Sequence, residues 1–341
     1  MRVDGLRGPV YFDAVPLVLV AVLLLLTACG GPFPQSVFAP RSDYSTEVDG
    51  LFWNIFWWAV VVFLIVETLL VVAIARYRAR PGAPIPKPIH GHTALEIGWT
   101  LAPALILVFI AVPTMRTIFA TAGHAPEGAL RVEVIGHQWW WEYRYPTLEI
   151  GTANELHIPV GTPIQMEMTS ADVIHSFWVP ALGGKRDLTQ GRTTRIAFRA
   201  DSVGEYWGQC AEFCGASHAN MRLRVVVEPD SAFQRWVDRQ RTAPIAPARG
   251  SLEEKGQQVF RRSACIACHT ISGVSPGTVG PNLNHVGGRA TIAGALFPNT
   301  TASLRGWIAN APSLKPGALM PPQNFPAEDL DALVAYLQSL K

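Results

Sequence analysis

The sequence predicts three kinds of structure joined in one chain: a two-helix transmembrane hairpin, an all-β sandwich and a small all-α domain at the C-terminus. Three observations carry this. Two apolar runs, residues 51–75 and 97–119, are each long enough to cross a bilayer, which takes about 20 apolar residues as helix. Residues 130–230 then break into short β-branched and aromatic runs separated by Gly and Pro turns. Beyond QRTAPIAPARG (240–250), short helical patterns alternate with Gly/Pro loops and end in AEDLDALVAYLQSL.

At the N-terminus Arg2 and Arg7 precede the apolar run AVPLVLVAVLLLLTA (14–28), so residues 1–28 read as a signal peptide. LTAC (26–29) resembles the bacterial lipobox, in which cleavage leaves the cysteine, here Cys29, carrying a lipid. An ordinary signal peptide followed by an incidental cysteine is the alternative. The hairpin then occupies 29–121, with Trp53, Trp57, Trp58 and Trp99 near the ends of its spans, where amphipathic rings favour the headgroup region. Arg76, Arg78, Arg80 and Lys87 lie between the spans against the single acid Glu96. That excess places the connection in the cytoplasm and everything after residue 120 outside, in agreement with the signal peptide.

The strand-like runs LRVEVIG (130–136), PIQMEMTS (163–170), TTRIAFRA (193–200) and RLRVVVEP (222–229) place a β-sandwich or barrel over 122–239. Residues 240–250 read as a linker, and 251–341 as a separate domain. The 341-residue chain is 49% hydrophobic with a net charge of +2 spread along its length. No basic run interleaved with aromatics is present, which argues against a nucleic-acid partner.

The five cysteines fall into Cys29, the pair Cys210 and Cys214, and the pair Cys265 and Cys268. An exported chain can close each pair as a disulfide, but the neighbours favour metal and haem. In CAEFCGASHANM (210–221), Cys210, Cys214 and His218 are spaced four apart. Gly208, Gly215 and the strand-like RLRVVV that follows make this a loop between strands, able to wrap a metal. His175, in SADVIHSFWVP at the end of a strand-like run, is a further candidate ligand. Thiolates, imidazoles and a thioether form a soft set that favours copper over zinc, which would leave Met221 idle. A mononuclear blue site needs one cysteine, so the second points to a second metal.

GEYWGQCAEFCGASHANM (204–221), DVIHSFWVP (172–180) and GHQWWWEY (136–143) resemble the CuA domain of cytochrome c oxidase subunit II. The resemblance implies a cupredoxin-like fold in which two coppers share Cys210 and Cys214. One copper adds His175 and Met221, the other His218 and the carbonyl of Glu212. It also implies that the Glu212 side chain contacts a magnesium ion shared with subunit I, and that Trp139 is an exposed tryptophan receiving electrons. The alternatives are a solvated loop acid and plain packing. LEIGWTLAPALIL (95–107) resembles the family's second span, making Glu96 the entrance of a proton path or, alternatively, an interfacial acid. Glu67, mid-span, should face a partner subunit or be protonated, with no role assigned.

CIACH (265–269) is the C-x-x-C-H pattern of covalent c-type haem attachment, with His269 as proximal iron ligand. After residue 269 the only methionine is Met320, in GALMPPQNF, and Met/His ligation raises the iron potential into the electron-transfer range. His285 is the competing distal ligand. GPNLNHVGGR (280–289) resembles the loop of class I cytochromes c in which a proline carbonyl, here at Pro281, accepts the proximal imidazole's hydrogen bond. His90, His92, His124, His137 and His157 have no partner at metal spacing and read as structural or solvent-facing.

Together these parts resemble subunit II of a caa-type haem-copper oxidase. The resemblance implies a multi-pass protein of the bacterial plasma membrane that receives electrons at its haem c. These pass to the CuA pair and on to subunit I, where oxygen is reduced to water and protons are pumped, with subunit III as a further partner. No catalytic group is needed on this chain. A membrane-tethered copper chaperone would share C-x-x-x-C without needing His218 and Met221. A free-standing electron carrier would need one anchor rather than two spans. Quinol oxidases of this family keep the fold without the copper ligands. The donor, a cytochrome c or a quinol–cytochrome c reductase, is not marked by charge: residues 120–250 hold 14 acids and 13 bases.

Overall fold

The structure is a computed structural model that describes Val20 and residues 33–78, 81–82, 88, 90–122 and 125–341. The expected signal peptide (apart from Val20), Cys29, Arg80, Lys87 and His124 lie outside the described residues.

Helix α1 (Asp43–Tyr77) and helix α2 (Thr93–Thr121) run 35 and 29 residues. At about 1.5 Å per residue, each exceeds the ~30 Å hydrocarbon layer. Their flanks carry apolar side chains on the outside, such as Phe63, Leu69, Leu107 and Phe119, as lipid-facing helices require. Trp58 stacks on Phe109 between them, ring centroids 5.6 Å apart. Helix α1 starts eight residues before the expected span because Ser42 and Ser45 cap it reciprocally. The same hydroxyls donate to the Leu182 and Ala181 carbonyls at 2.6 and 2.8 Å, tying the helix start to the sandwich.

The sandwich has two five-stranded sheets. One contains β1 (Leu130–His137), β2 (Trp140–Tyr145), β3 (Ile150–Ala153), β5 (Pro163–Ser170) and β8 (Thr194–Arg199), in the order β3-β2-β1-β5-β8. The other, ordered β4-β10-β9-β6-β7, contains β4 (Glu155–Pro159), β6 (His175–Trp178), β7 (Arg186–Leu188), β9 (Gly204–Cys210) and β10 (Arg222–Glu228). The four runs read as strands are β1, β5, β8 and β10. Their alternation buries Val132, Val134, Met166, Met168, Ile196, Phe198, Leu223 and Val225 against Trp141 and Tyr143. Helix α3 (Asp230–Arg241) continues from β10 and adds Phe233, Trp236 and Val237 to this core. The linker stretch 240–250 therefore begins inside a helix.

A second core, from Val259 onward, lies between α4 (Leu252–Arg262) and α7 (Ala327–Ser339), with α6 (Thr301–Leu314) against them. Phe260, Leu333 and Tyr336 are buried at the α4–α7 crossing, and Arg262 pairs with Asp329 at 2.6 Å on its rim. The haem motif forms one short turn, α5 (Cys265–Cys268). The expectation of an all-α unit holds for its core. Two minimal hairpins supplement it, β11 (Thr270–Ile271) with β12 (Ser275–Pro276) and β13 (Thr291–Ile292) with β14 (Phe297–Pro298). Although the two cores are distinct, residues 35–341 form one compact unit, so the C-terminal part is seated on the sandwich.

Candidate metal centres

Strand β9 ends at Cys210, a loop carries Cys214, and a 3-10 turn (His218–Asn220) leads through Met221 into β10. The loop is closed at its base by Cys210 N–H donating to the Met221 carbonyl at 2.9 Å. His175 begins β6 rather than ending a strand, and pairing of β6 with β9 brings it alongside Cys210. All of the expected copper ligands meet here. The two sulfurs lie 3.7 Å apart and are free thiols. His175 Nδ1 is 3.9 Å from Cys210 Sγ, and the Glu212 carbonyl is 3.2 Å from it. His218 Nδ1 is 3.6 Å and Met221 Sδ 3.8 Å from Cys214 Sγ. Each expected ligand pair, His175 with Met221 and His218 with the Glu212 carbonyl, thus supplies one donor beside each sulfur.

The surroundings prepare this set for a soft metal. His175 Nε2 lies 2.8 Å from Asp172 Oδ1. A carboxylate can only accept, so Nε2 carries the proton and Nδ1 presents its lone pair to the cysteines. Burial lowers the imidazole's pKa, but Cys210 and Asp172 together raise it above its ordinary value. Hydrogen bonding from Cys214 holds the Cys210 thiol well below the usual thiol range, and the same contact pushes Cys214 up. The two thiols are linked through this contact, and binding a metal to them releases their protons. Gly136 of β1 makes room for the imidazole: a Cβ there would lie 2.7 Å from His175 Cδ2. Two sulfurs at metal–sulfur distances of about 2.3 Å can stand up to ~4.6 Å apart, so the 3.7 Å gap accommodates shared metal. Asp172 and Gly136 were not singled out in the sequence. Asp172 stands three residues before His175, the one signal available.

The second centre is a cleft lined by Cys265, Cys268, His269, Pro281 and Met320. His269 Nδ1 lies 2.9 Å from the Pro281 carbonyl, which fixes the proton on Nδ1 and leaves Nε2 free. Burial lowers the His269 pKa, keeping the ring neutral as a ligand must be. Gly280 permits the close seat of this ring, since a Cβ would fall 2.6 Å from His269 Cε1. Arg289, unnoticed in the sequence, lines the cleft with its Nε buried and unpartnered, an arrangement that suits an anionic group such as a haem carboxylate. His285 does not line the cleft, and its Nε2 lies 3.2 Å from the Gln240 carbonyl. Of the two candidate distal ligands, only Met320 shares the cleft with His269.

The remaining candidates take other positions. His137 and His157 are structural, paired with Glu142 and Glu228 at 3.0 Å each and stacked on Trp140 and Trp236. His90 and His92 are exposed, and His92 caps α2. Glu96 accepts from His92 N–H at 3.2 Å in the first turn of α2. Glu67 is half-buried on α1. The Glu212 side chain is exposed and accepts from Phe213 N–H at 3.0 Å. Trp139 requires a correction. It is 8% exposed rather than an open surface residue, because the segment before Met320 covers it, and it lines the His269 cleft. Its Nε1 donates to the Cys214 carbonyl at 3.0 Å.

Three family models match this chain. "Cytochrome C oxidase subunit II, transmembrane domain" covers residues 36–117, "Cytochrome C oxidase subunit II, periplasmic domain" covers 147–229, and "Cytochrome c" covers 253–341. Cytochrome c oxidase subunit 2 of Alkalihalophilus pseudofirmus is 37% identical over 333 residues, 95% of this chain and 96% of that one. Quinol oxidase subunit 2 of Bacillus anthracis is 31% identical over 242 residues, 69% of this chain and 82% of that one. The solved periplasmic domain of subunit II of cytochrome oxidase of Bradyrhizobium japonicum is 34% identical, covering 35% of this chain and 97% of that one at a TM-score of 0.34. The chain is a membrane-protein subunit of an oxidase. It belongs to the cytochrome c oxidase subunit II family and carries a C-terminal cytochrome c domain. Membership implies a copper centre and a haem, and the two donor sets above fit those groups.

Proposed function

We propose that this chain is the electron-receiving subunit of a proton-pumping oxidase. Electrons arrive at the C-terminal cytochrome c unit, pass to the Cys210–Cys214 cluster, and leave for subunit I, where oxygen is reduced to water. One observation carries the reading. The Trp139 indole lines the His269–Met320 cleft on one side and donates to the Cys214 carbonyl on the other, so the two donor sets share one side chain.

The two groups supply one-electron couples, haem iron in the cleft and copper at the thiolates. The chain's own residues hold them. Cys265 and Cys268 would attach the haem, His269 and Met320 would ligate its iron, and Pro281 orients His269. His175, Cys210, Cys214, His218, Met221 and the Glu212 carbonyl would hold two copper ions, and Asp172 orients His175. Burial of both sulfurs keeps water from the cluster.

The same reading assigns boundaries at 122–239 for the copper unit and 251–341 for the haem unit, supported by the two separate cores. Both units face the periplasm, because Arg76 and Arg78 stand at the opposite end of α1 from its attachment to the sandwich. The exposed Glu212 carboxylate is the group that reaches a magnesium ion shared with subunit I, and Glu96 opens a proton path at the cytoplasmic end of α2. Subunit III and a cytochrome c or quinol–cytochrome c reductase donor complete the assembly.

The test is electron paramagnetic resonance of the full-length chain with copper and haem quantified. Hyperfine splitting from two equivalent coppers, with one haem per chain, is expected. A single-copper pattern would overturn the binuclear assignment.

A further inference from the structure

Two buried charged residues fasten the C-terminal unit to the sandwich, and neither belongs to a ligand set. Lys315 is 3% exposed, and its Nζ donates to the Trp139 carbonyl at 2.6 Å and to the Ala293 carbonyl at 2.8 Å. The next residue, Pro316, accepts from Ser217 Oγ at 2.6 Å through its carbonyl. Gly317 then lies against the Trp139 ring so closely that a Cβ would stand 2.6 Å from Cη2. On the sandwich side Glu155 is 4% exposed. Its carboxylate accepts from Thr291 N–H and Oγ at 2.8 and 2.7 Å and from Ala290 N–H at 3.2 Å.

Removing an ammonium and a carboxylate from water is costly unless each finds fixed partners. A unit hanging loosely from the 240–250 segment would strip each of its partners on the opposite body. Here each group reaches across to the opposite body, Lys315 to the Trp139 carbonyl and Glu155 to the Ala290–Thr291 backbone, beside a partner on its own side, the Ala293 carbonyl and Arg224, so the contacts across the seam define one orientation. Its centre is Trp139, the side chain that bridges the two donor sets.

We infer that Lys315 is a positioning residue that latches the C-terminal unit over Trp139, closing that indole to outside redox proteins. The consequence of this latch for electron transfer rests on the electron-receiving function proposed above.

The test is hydroxyl-radical labelling of the full-length chain, read by tandem mass spectrometry at Trp139 with the buried Trp141 as internal reference, together with the rate of haem-to-copper electron transfer after flash reduction. Trp139, 8% exposed, should label in the unaltered chain within a few-fold of the fully buried Trp141. Lys315→Met should raise Trp139 labelling at least tenfold and slow electron transfer at least tenfold, with the haem fully attached and the copper spectrum unchanged. Thr291→Val, which removes one donor from Glu155, should act in the same direction and serves if Lys315→Met does not accumulate. Rapid labelling of Trp139 in the unaltered copper- and haem-loaded chain overturns the latch. So does unchanged labelling in both variants. A protected Trp139 in a chain that holds neither copper nor haem overturns the relay itself, and the redox role of the latch with it.

Discussion

Trp139 donates its indole N–H to the Cys214 carbonyl at 3.0 Å while its ring lies beneath Gly317, three residues before Met320. One side chain therefore touches the loop that holds one donor set and the loop that leads to a ligand of the other. Trp139→Phe keeps an aromatic face under Gly317 and deletes the hydrogen bond. Electron transfer between the centres should slow by about tenfold, equivalent to ~1.4 kcal/mol in barrier, and copper content should not change. Flash reduction of the haem followed at the copper absorption measures this directly.

Asp172 acts on the copper set without belonging to it. By accepting from His175 Nε2 at 2.8 Å it commits Nδ1 to the lone pair facing Cys210. Asp172→Asn removes the charge and can present its amide N–H₂ to Nε2, which favours the wrong tautomer. Copper affinity should fall by about 10–100-fold, the usual effect of losing such a partner. Competition with a chelator reads the affinity, and the haem should stay fully attached.

How much of this was legible from residue patterns depended on range. The spans, the four strands and both cysteine motifs are local signals, since each depends on spacings of a few residues. The extra turns at the start of α1 were hidden because DYSTEVDG is polar, and only the Ser42–Ser45 cap, tied to Leu182 and Ala181, makes it helical. Helix α3 carries Phe233, Trp236 and Val237 at helical spacing, but its many charges blended into the following linker. Lys315, Glu155 and the covering of Trp139 lay beyond reach for a different reason. Their partners are 176, 136 and 178 positions away in sequence, or are other backbone groups, and no periodicity encodes the docking of two separate cores.

Gly280 passes so close to His269 that a methyl group has no place. Gly280→Ala would put a Cβ 2.6 Å from Cε1, forcing the imidazole or the 280–281 backbone to move and lengthening the 2.9 Å bond to the Pro281 carbonyl. Overpacking of this kind costs about 1–3 kcal/mol. The expected outcome is a chain with less attached haem and a shifted midpoint potential, while the copper signal persists. Pyridine haemochrome assay and redox titration check both halves.

Glu142 gives the sandwich a defined acid sensitivity. Burial alone would raise its pKa, but hydrogen bonds from His137 at 3.0 Å and Arg144 at 2.6 Å outweigh burial and hold it below the ordinary 4.5. A carboxyl with a depressed folded-state pKa contributes stability that is fully present above its unfolded pKa and is lost as pH falls through the folded one. Glu142→Gln should therefore destabilise the sandwich by ~0.5–1 kcal/mol at pH 7, the modest figure reflecting a partly solvated ion pair. The gap between variant and parent should stay constant down to about pH 5.5 and close progressively below about 4.5. Urea unfolding followed by tryptophan fluorescence at pH 7 and pH 4 measures it, and a gap that widens on acidification would contradict the assignment.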